Sequence, residues 1–219
     1  MPIHNTLLLI LGAYLLGSIP TAFLAAQLAR GIDIRHYGSG TVSGSMIYEH
    51  VSRWLVVPVG IFDVAKAALP AWVGIHWGFG EAGAVAAGLA AMIGHNWSVY
   101  LKFSGGRGLS TLLGTLLILF PWGDVWLLAF LAFGYALKDS APWALTGIAG
   151  MPLLIWLLDG SSSLYWLIGI TLVIVLVKRL EANRRPLPPP GRERRRIIWM
   201  RLIFDRDMMD HSAWIHRKF

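Results

Sequence analysis

The chain has 219 residues, of which 56% are hydrophobic and only 14% charged, with a mean hydropathy of +0.58. That balance excludes an ordinary soluble domain. The absence of cysteine excludes a disulfide framework, a thiolate metal site and a cysteine nucleophile. The net charge of +7 gathers mostly beyond residue 177, so it is read through topology rather than as a nucleic-acid signal.

A helix that spans a bilayer takes about 20 largely apolar residues. The first such run extends from about Thr6 to Ala29. It begins at Ile3 without a basic leader or a small-residue cleavage site, which reads as a retained span rather than a signal peptide. Inside it, Gly17-Ser18-Ile19-Pro20-Thr21 combines a missing backbone donor with small residues that admit a neighbouring helix, so a packing kink is expected there. Arg30 to Arg53 follows as the most polar internal stretch, with Asp33, Arg35, His36 and the run Gly38-Ser39-Gly40-Thr41-Val42-Ser43-Gly44-Ser45. A hydroxyl- and glycine-rich loop of that length is more than a connector needs, and it points to binding.

The second run, about Trp54 to Trp77, carries Asp63 and Lys66 on one helical face. An intrahelical ion pair and a substrate-facing role both fit these two residues. The third run covers about Ala82 to Val99. Two shorter ones, about Leu109 to Phe120 and Val125 to Leu137, are split by Pro121-Trp122-Gly123-Asp124 and read as tilted spans or one re-entrant pair. About Trp143 to Leu158 and Leu164 to Val177 complete the series, joined by Asp159-Gly160-Ser161-Ser162-Ser163.

If all seven runs cross, the loops after the first, third and fifth share one side with the tail. Arg30, Arg35, Arg53, Lys102, Arg107, Lys138 and every Lys or Arg from Lys178 onward fall on that side, and the opposite loops hold none. The positive-inside rule then makes the chain an all-α polytopic membrane protein with its N-terminus outside and its C-terminus cytoplasmic. The same assignment brings the Ser39 loop and the Arg107 loop to one face. Residues 1–180 form the membrane domain; 181–219 form a basic, proline-containing linker and an amphipathic tail. In that tail Arg194, Arg195, Arg196, Arg201 and Arg206 mix with Ile197, Trp199, Leu202 and Phe204, which favours an anionic membrane surface over nucleic acid. His211 and His216 have no partners at metal-ligand spacing and are assigned nothing.

The chemistry concentrates between Gly94 and Thr111: Gly94-His95-Asn96, Lys102, Gly105-Gly106-Arg107-Gly108 and Ser110-Thr111. Glycines let successive backbone N–H groups wrap an anion. Arg107 adds a planar fork of donors. If Leu109 opens a helix, Ser110 and Thr111 lie in its first turn, where the dipole also favours an anion. Together they read as a phosphate cradle at a membrane surface, although a plain glycine-rich turn between two helices is the bland alternative.

Gly17-Ser18-Ile19-Pro20, Asp33-Ile34-Arg35 with Gly38-Ser39-Gly40, Asp63 with Lys66, and Gly94-His95 through Thr111 resemble, in matching order, the bacterial acyl-phosphate:glycerol-3-phosphate acyltransferases, the PlsY family. The resemblance covers roughly Gly17 to Arg179, and Gly-His…Leu-Lys-Phe-x-Gly-Gly-x-Gly is its most specific part. It implies a seven-span enzyme of the bacterial inner membrane that needs no metal or nucleotide. The implied substrates are acyl phosphate and glycerol 3-phosphate, and the product is lysophosphatidic acid. It further implies that Ser39 and His95 orient the reacting groups. Gly38, Gly40, Lys66, Lys102, Gly105, Gly106, Arg107, Gly108, Ser110 and Thr111 would then shape the phosphate sites. An acyl phosphate is already activated and its phosphate can take the alcohol proton, so positioning and charge stabilisation suffice.

The chain departs from the family pattern at Thr41 and Met46, which stand for asparagines, and at Glu49, which stands where an arginine belongs. Val173 to Arg179 keeps only Lys178 and Arg179 of a third motif, and Arg107 replaces a lysine. A non-catalytic relative that binds lipid or a partner is the alternative these departures raise.

Overall fold

The apolar runs set the helices. A computed structural model describes residues 2–182 and 185–218, and among them the chain forms eleven α-helices. These are α1 (Ile3–Gly17), α2 (Thr21–Arg30), α3 (Gly44–His50), α4 (Val56–His76), α5 (Gly80–Asn96) and α6 (Leu109–Leu119). They continue as α7 (Pro121–Ala136), α8 (Ser140–Leu157), α9 (Ser162–Glu181), α10 (Arg192–Phe204) and α11 (His211–His216). Two single turns of 3-10 helix, Ile34–His36 and Val99–Leu101, lie in the loops.

The first run does more than kink. It breaks into α1 and α2, because Pro20 has no N–H to continue the ladder. The carbonyls exposed at the break find partners elsewhere: Ser98 Oγ donates to Ser18 O at 2.5 Å, and Lys66 Nζ donates to Ile19 O at 3.0 Å. Pro121 acts differently. It opens α7 at the first helical position, where its missing N–H costs nothing, so that helix starts at Pro121 rather than at Val125. The α6 helix is short; its 11 residues rise about 16 Å, roughly half of a ~30 Å hydrocarbon core.

α5 is the central column, packed against α1, α4, α6 and α9. Its approach to α1 is backbone to backbone: a Cβ at Gly17 would overlap main-chain atoms of Ala91, and one at Gly94 would overlap Tyr14 O. Ala13 of α1 and Ala87, Ala90 and Ala91 of α5 fill that contact, in one cluster with Ala67 of α4. The larger side chains pack on the other side of α5. There Leu89 and Met92 meet Leu112 and Leu116 of α6, Leu127 of α7, Ile148 and Met151 of α8, and Leu167 of α9.

The outer faces are apolar: Leu8, Leu11, Ile61, Phe62, Leu128, Phe133, Leu153, Trp166 and Val173 are all exposed. A surface of that kind needs lipid rather than water. By length and composition, four segments among the described residues suffice to cross a membrane: α1 with α2, α4, α8 and α9.

The tail folds back onto the body. The basic start of its linker at Arg184 lies outside the described residues, and Arg185 to Pro190 forms no helix. α10 packs on α8 and α9. Arg201 is buried; it donates to Leu180 O at 3.0 Å and Arg185 O at 3.2 Å, and pairs with Asp207 at 2.6 Å. A guanidinium there satisfies carbonyls left open at the end of α9. Trp214 and Ile215 of α11 enter a third cluster with Ala22, Ala26, Ile34, Met46 and Ile47. Arg201 and Arg206 therefore belong to the interior, while Arg192, Arg195, Arg196 and Trp199 form the exposed side of α10.

Candidate active site

The first polar loop is fixed by its own charges. Asp33 accepts from Arg35 N at 3.0 Å and grips the Arg35 guanidinium through Nε at 2.9 Å and Nη2 at 2.6 Å. Those bonds hold the Asp33 carboxyl below the usual carboxylate range. Gly38 and Gly40 take positive φ here, and Ser43 is extended just before α3 opens. A ladder of hydroxyls follows: Ser39 Oγ lies 2.5 Å from Thr41 Oγ1, Thr41 Oγ1 3.0 Å from Ser43 Oγ, and Ser43 Oγ 3.0 Å from Ser45 Oγ. Thr41, one of the departures from the family pattern, is a rung of this ladder.

Asp63 is the hub beneath it. Its Oδ1 accepts from Thr21 Oγ1 at 2.5 Å and pairs with Lys66 Nζ at 2.7 Å; His95 Nδ1 stands 3.7 Å away. The break between α1 and α2 makes this possible, since it aims Thr21 at the carboxylate and offers Ile19 O to Lys66. Asp63 and Lys66 do form the intrahelical pair, and both are buried.

The second polar loop closes on the first through Val42 N, which donates to Gly105 O at 3.1 Å. Gly106 N donates to His95 O at 3.0 Å, and any Cβ at Gly106 would collide with His95 Nε2. The glycine at 106 thus makes room for the imidazole, and its N–H is already in use rather than open to an anion. Gly108, at φ +82°, takes the left-handed turn that launches α6 at Leu109. Arg107 donates through Nε to Asp205 at 2.8 Å and through Nη1 to Lys178 O at 2.9 Å.

These loops border a cavity of about 1000 Å³. Of the residues expected at the site, Ser39, His95, Arg107, Gly108 and Ser110 line it. Lys66 and Gly105 instead line a small pocket on the other side of His95. The remaining five stand outside both linings: Gly38 is held by the tail through Gly38 N to Arg217 O at 2.9 Å, and Gly40 lies beside Arg185. Lys102 is exposed, Gly106 packs on His95, and Thr111 is spent on Gly108 O at 2.9 Å. Glu49 lines the cavity too. Its apolar wall comes from Val56, Leu109, Leu131, Ala144 and Val175.

Sequence reasoning missed the tail's share. Phe204, Asp205, Arg206, Trp214 and Ile215 all line the cavity. The one local signal was Asp205-Arg206-Asp207, a run of alternating charge inside a basic segment, which calls for specific partners.

A multi-pass helical membrane protein with a polar cavity walled by apolar helices on one side is the class this geometry defines. Comparison with known proteins narrows it. A family model described as glycerol-3-phosphate acyltransferase matches residues 7–187. The chain is similar to glycerol-3-phosphate acyltransferase 4 of Dehalococcoides mccartyi strain CBDB1, at 33% identity over 96% of this chain and 93% of that one. It is also similar to the glycerol-3-phosphate acyltransferase of Geotalea daltonii, at 35% identity over 83% and 93%. Its fold is shared with the crystal structure of PlsY (YgiH), an integral membrane glycerol 3-phosphate acyltransferase, in the glycerol 3-phosphate form. The TM-score is 0.74 at 24% identity, covering 83% of this chain and 91% of that one. The chain belongs to the glycerol-3-phosphate acyltransferase family.

Proposed function

We propose that the chain is an acyltransferase of phospholipid synthesis that moves an acyl group from acyl phosphate to the sn-1 hydroxyl of glycerol 3-phosphate. The observation that carries this reading is the shared cavity: Ser39, His95 and Arg107 face the same space as an apolar wall fit for an acyl chain. The hydroxyl oxygen of glycerol 3-phosphate attacks the acyl carbon, a new C–O bond forms, and the bond to phosphate breaks. The departing phosphate takes the hydroxyl proton, so products are lysophosphatidic acid and inorganic phosphate. Ser39 and His95 hold the reacting groups in line. Arg107, Gly108 and Ser110, at the start of α6, hold phosphate charge. Lys66 acts from behind, fixing Asp63 under His95.

The relatives along 96% of the chain are named as enzymes, which favours catalysis over a purely lipid- or partner-binding role. Seven crossings, with the loops of Ser39 and Arg107 and the tail on the cytoplasmic side of a bacterial inner membrane, fit the one-sided lysines and arginines. In this arrangement 1–180 is the membrane body and 181–219 a cytoplasmic cap.

Purified protein in lipid, given palmitoyl phosphate and glycerol 3-phosphate, is expected to release phosphate and form lysophosphatidic acid. Folded protein that releases none would overturn the reading.

A further inference from the structure

The tail brings its own cation into the cavity, and nothing in the helical body accounts for it. α10 ends at Asp205, whose φ of +54° turns the chain back and sets Phe204, Asp205 and Arg206 in the lining with Arg107 and Ser110. Arg206 is 7% exposed. Its Nη2 holds Asp139 Oδ2 at 2.8 Å, and its guanidinium carbon stands 5.1 Å from the Phe204 ring centre. Its Nε–H is buried and has no acceptor among the described residues.

A buried guanidinium with an unused donor is an expensive way to fasten a tail to the α7–α8 corner, because apolar packing does that job without the desolvation cost. Its geometry suits a different task. The Phe204 ring behind it limits rotation, and the donors that Asp139 does not hold lie in one plane, as recognition of a phosphate requires. The other two arginines of the cavity are differently committed, and Lys138 stands exposed at its edge. Arg107 already places Nε on Asp205 and an Nη1 hydrogen on Lys178 O, so it offers a phosphate fewer donors than Arg206 does. Arg179 places its two Nη1 hydrogens on the carbonyls of Leu202 and Ile203 and one Nη2 hydrogen on Ala141 O.

We propose that Arg206 is a phosphate ligand of the acceptor site: the C-terminal tail supplies the guanidinium that binds the phosphate of glycerol 3-phosphate. This rests on the acyl-transfer reading and adds a residue beyond 7–187, the part matched by the family model.

Two measurements on the full-length protein in lipid nanodiscs test it: steady-state acyl transfer, and calorimetric binding of glycerol 3-phosphate without donor. Arg206→Gln is expected to raise both KM and Kd for glycerol 3-phosphate by about ten- to a hundredfold, with kcat changed far less. Asp139→Asn breaks the same ion pair but leaves the guanidinium and removes a competing carboxylate, so KM is expected to fall. Arg206→Lys keeps the charge without the fork; an intermediate KM at an unchanged melting temperature is expected, which guards against misfolding of the glutamine variant. A rise in KM in both Arg206→Gln and Asp139→Asn would mark the pair as a mere fastening and overturn the proposal. So would an Arg206→Gln protein that binds and turns over like the wild type, although acyl transfer would then stand. Arg206-dependent binding without any acyl transfer would support the tail site and sink the transfer reading; no binding by the wild type would sink both.

Discussion

The helical body and the tail are held together by opposite kinds of contact. Between α1 and α5 the backbones touch, and alanines and glycines do the packing; no charge is involved. Between tail and body, guanidinium groups on carbonyls and carboxylates add to the apolar seat of Trp214 and Ile215: Arg201, Arg179, Arg206 and Arg217 each bind at least one across the boundary. Dispersion between close backbones is insensitive to salt and pH, whereas charged contacts at the polar face respond to both. The body is therefore a fixed frame, and the cap over the cavity is the part that conditions can loosen.

The largest expected effect lies inside the frame. Ser39→Ala and His95→Ala should each lower kcat by about 10²–10⁴-fold, with membrane insertion and helix content retained. Full activity in either variant removes that residue from the site. Next comes the cap. Arg201→Ala leaves the Leu180 and Arg185 carbonyls and Asp207 without their partner, and should weaken tail docking by about 3–5 kcal/mol. Proteolysis should then cut the tail while the body resists; a body that falls apart with it would erase the distinction between the two regions.

Gly106→Ala tests the frame at its tightest point. The added methyl meets His95 Nε2, so a loss of about 1–3 kcal/mol and a drop in kcat are expected, both visible in melting and turnover. The smallest effect is one of pH. His50 donates from Nε2 to Ile215 O at 3.0 Å, and His216 stands edge-on 6.0 Å away. Burial holds the His50 imidazole below the ordinary histidine range; His216 pushes the same way, opposed by the Ile215 bond and Glu49. Because the folded state favours neutral His50, its contribution to docking is complete above the unfolded value and is lost as pH falls through the folded one. Protection factors in α11, taken relative to the intrinsic exchange rate at each pH, should fall from about pH 7.5 to about pH 5, and His50→Gln should flatten the response.

How much of this was legible in the sequence follows the same division. Long apolar runs announce helices, and all seven are helical, the first as the broken pair α1 and α2, because hydrophobicity is a property of neighbouring residues. Ser39, His95, Arg107, Gly108 and Ser110 reach one cavity, as glycine-rich loops between such helices promised. Local pattern misjudged whatever depends on distant partners. Lys102 looks like a phosphate ligand beside its glycines but turns outward at φ +53°. Gly106 looks like an open donor, yet its N–H is taken by a carbonyl eleven residues back, at His95. The arginines of the tail look like a surface stripe, and only the three-dimensional fold reveals that Arg201 and Arg206 find acceptors on α9 and at the α7–α8 corner.

The break at Pro20 also bears on how the chain is made. Ser18 O is bound by Ser98, 80 residues later, and Ile19 O by Lys66, 47 residues later. At about 5–20 residues per second on the ribosome, the Ser18 carbonyl waits roughly 4–16 s for its hydroxyl after it is synthesised. During that interval the broken first span holds exposed polar groups that its own sequence cannot satisfy. The nascent chain must therefore stay near water or the insertion machinery until Ser98, just past the end of α5, arrives, which makes the loop after α5 the element whose emergence commits the bundle to its final form.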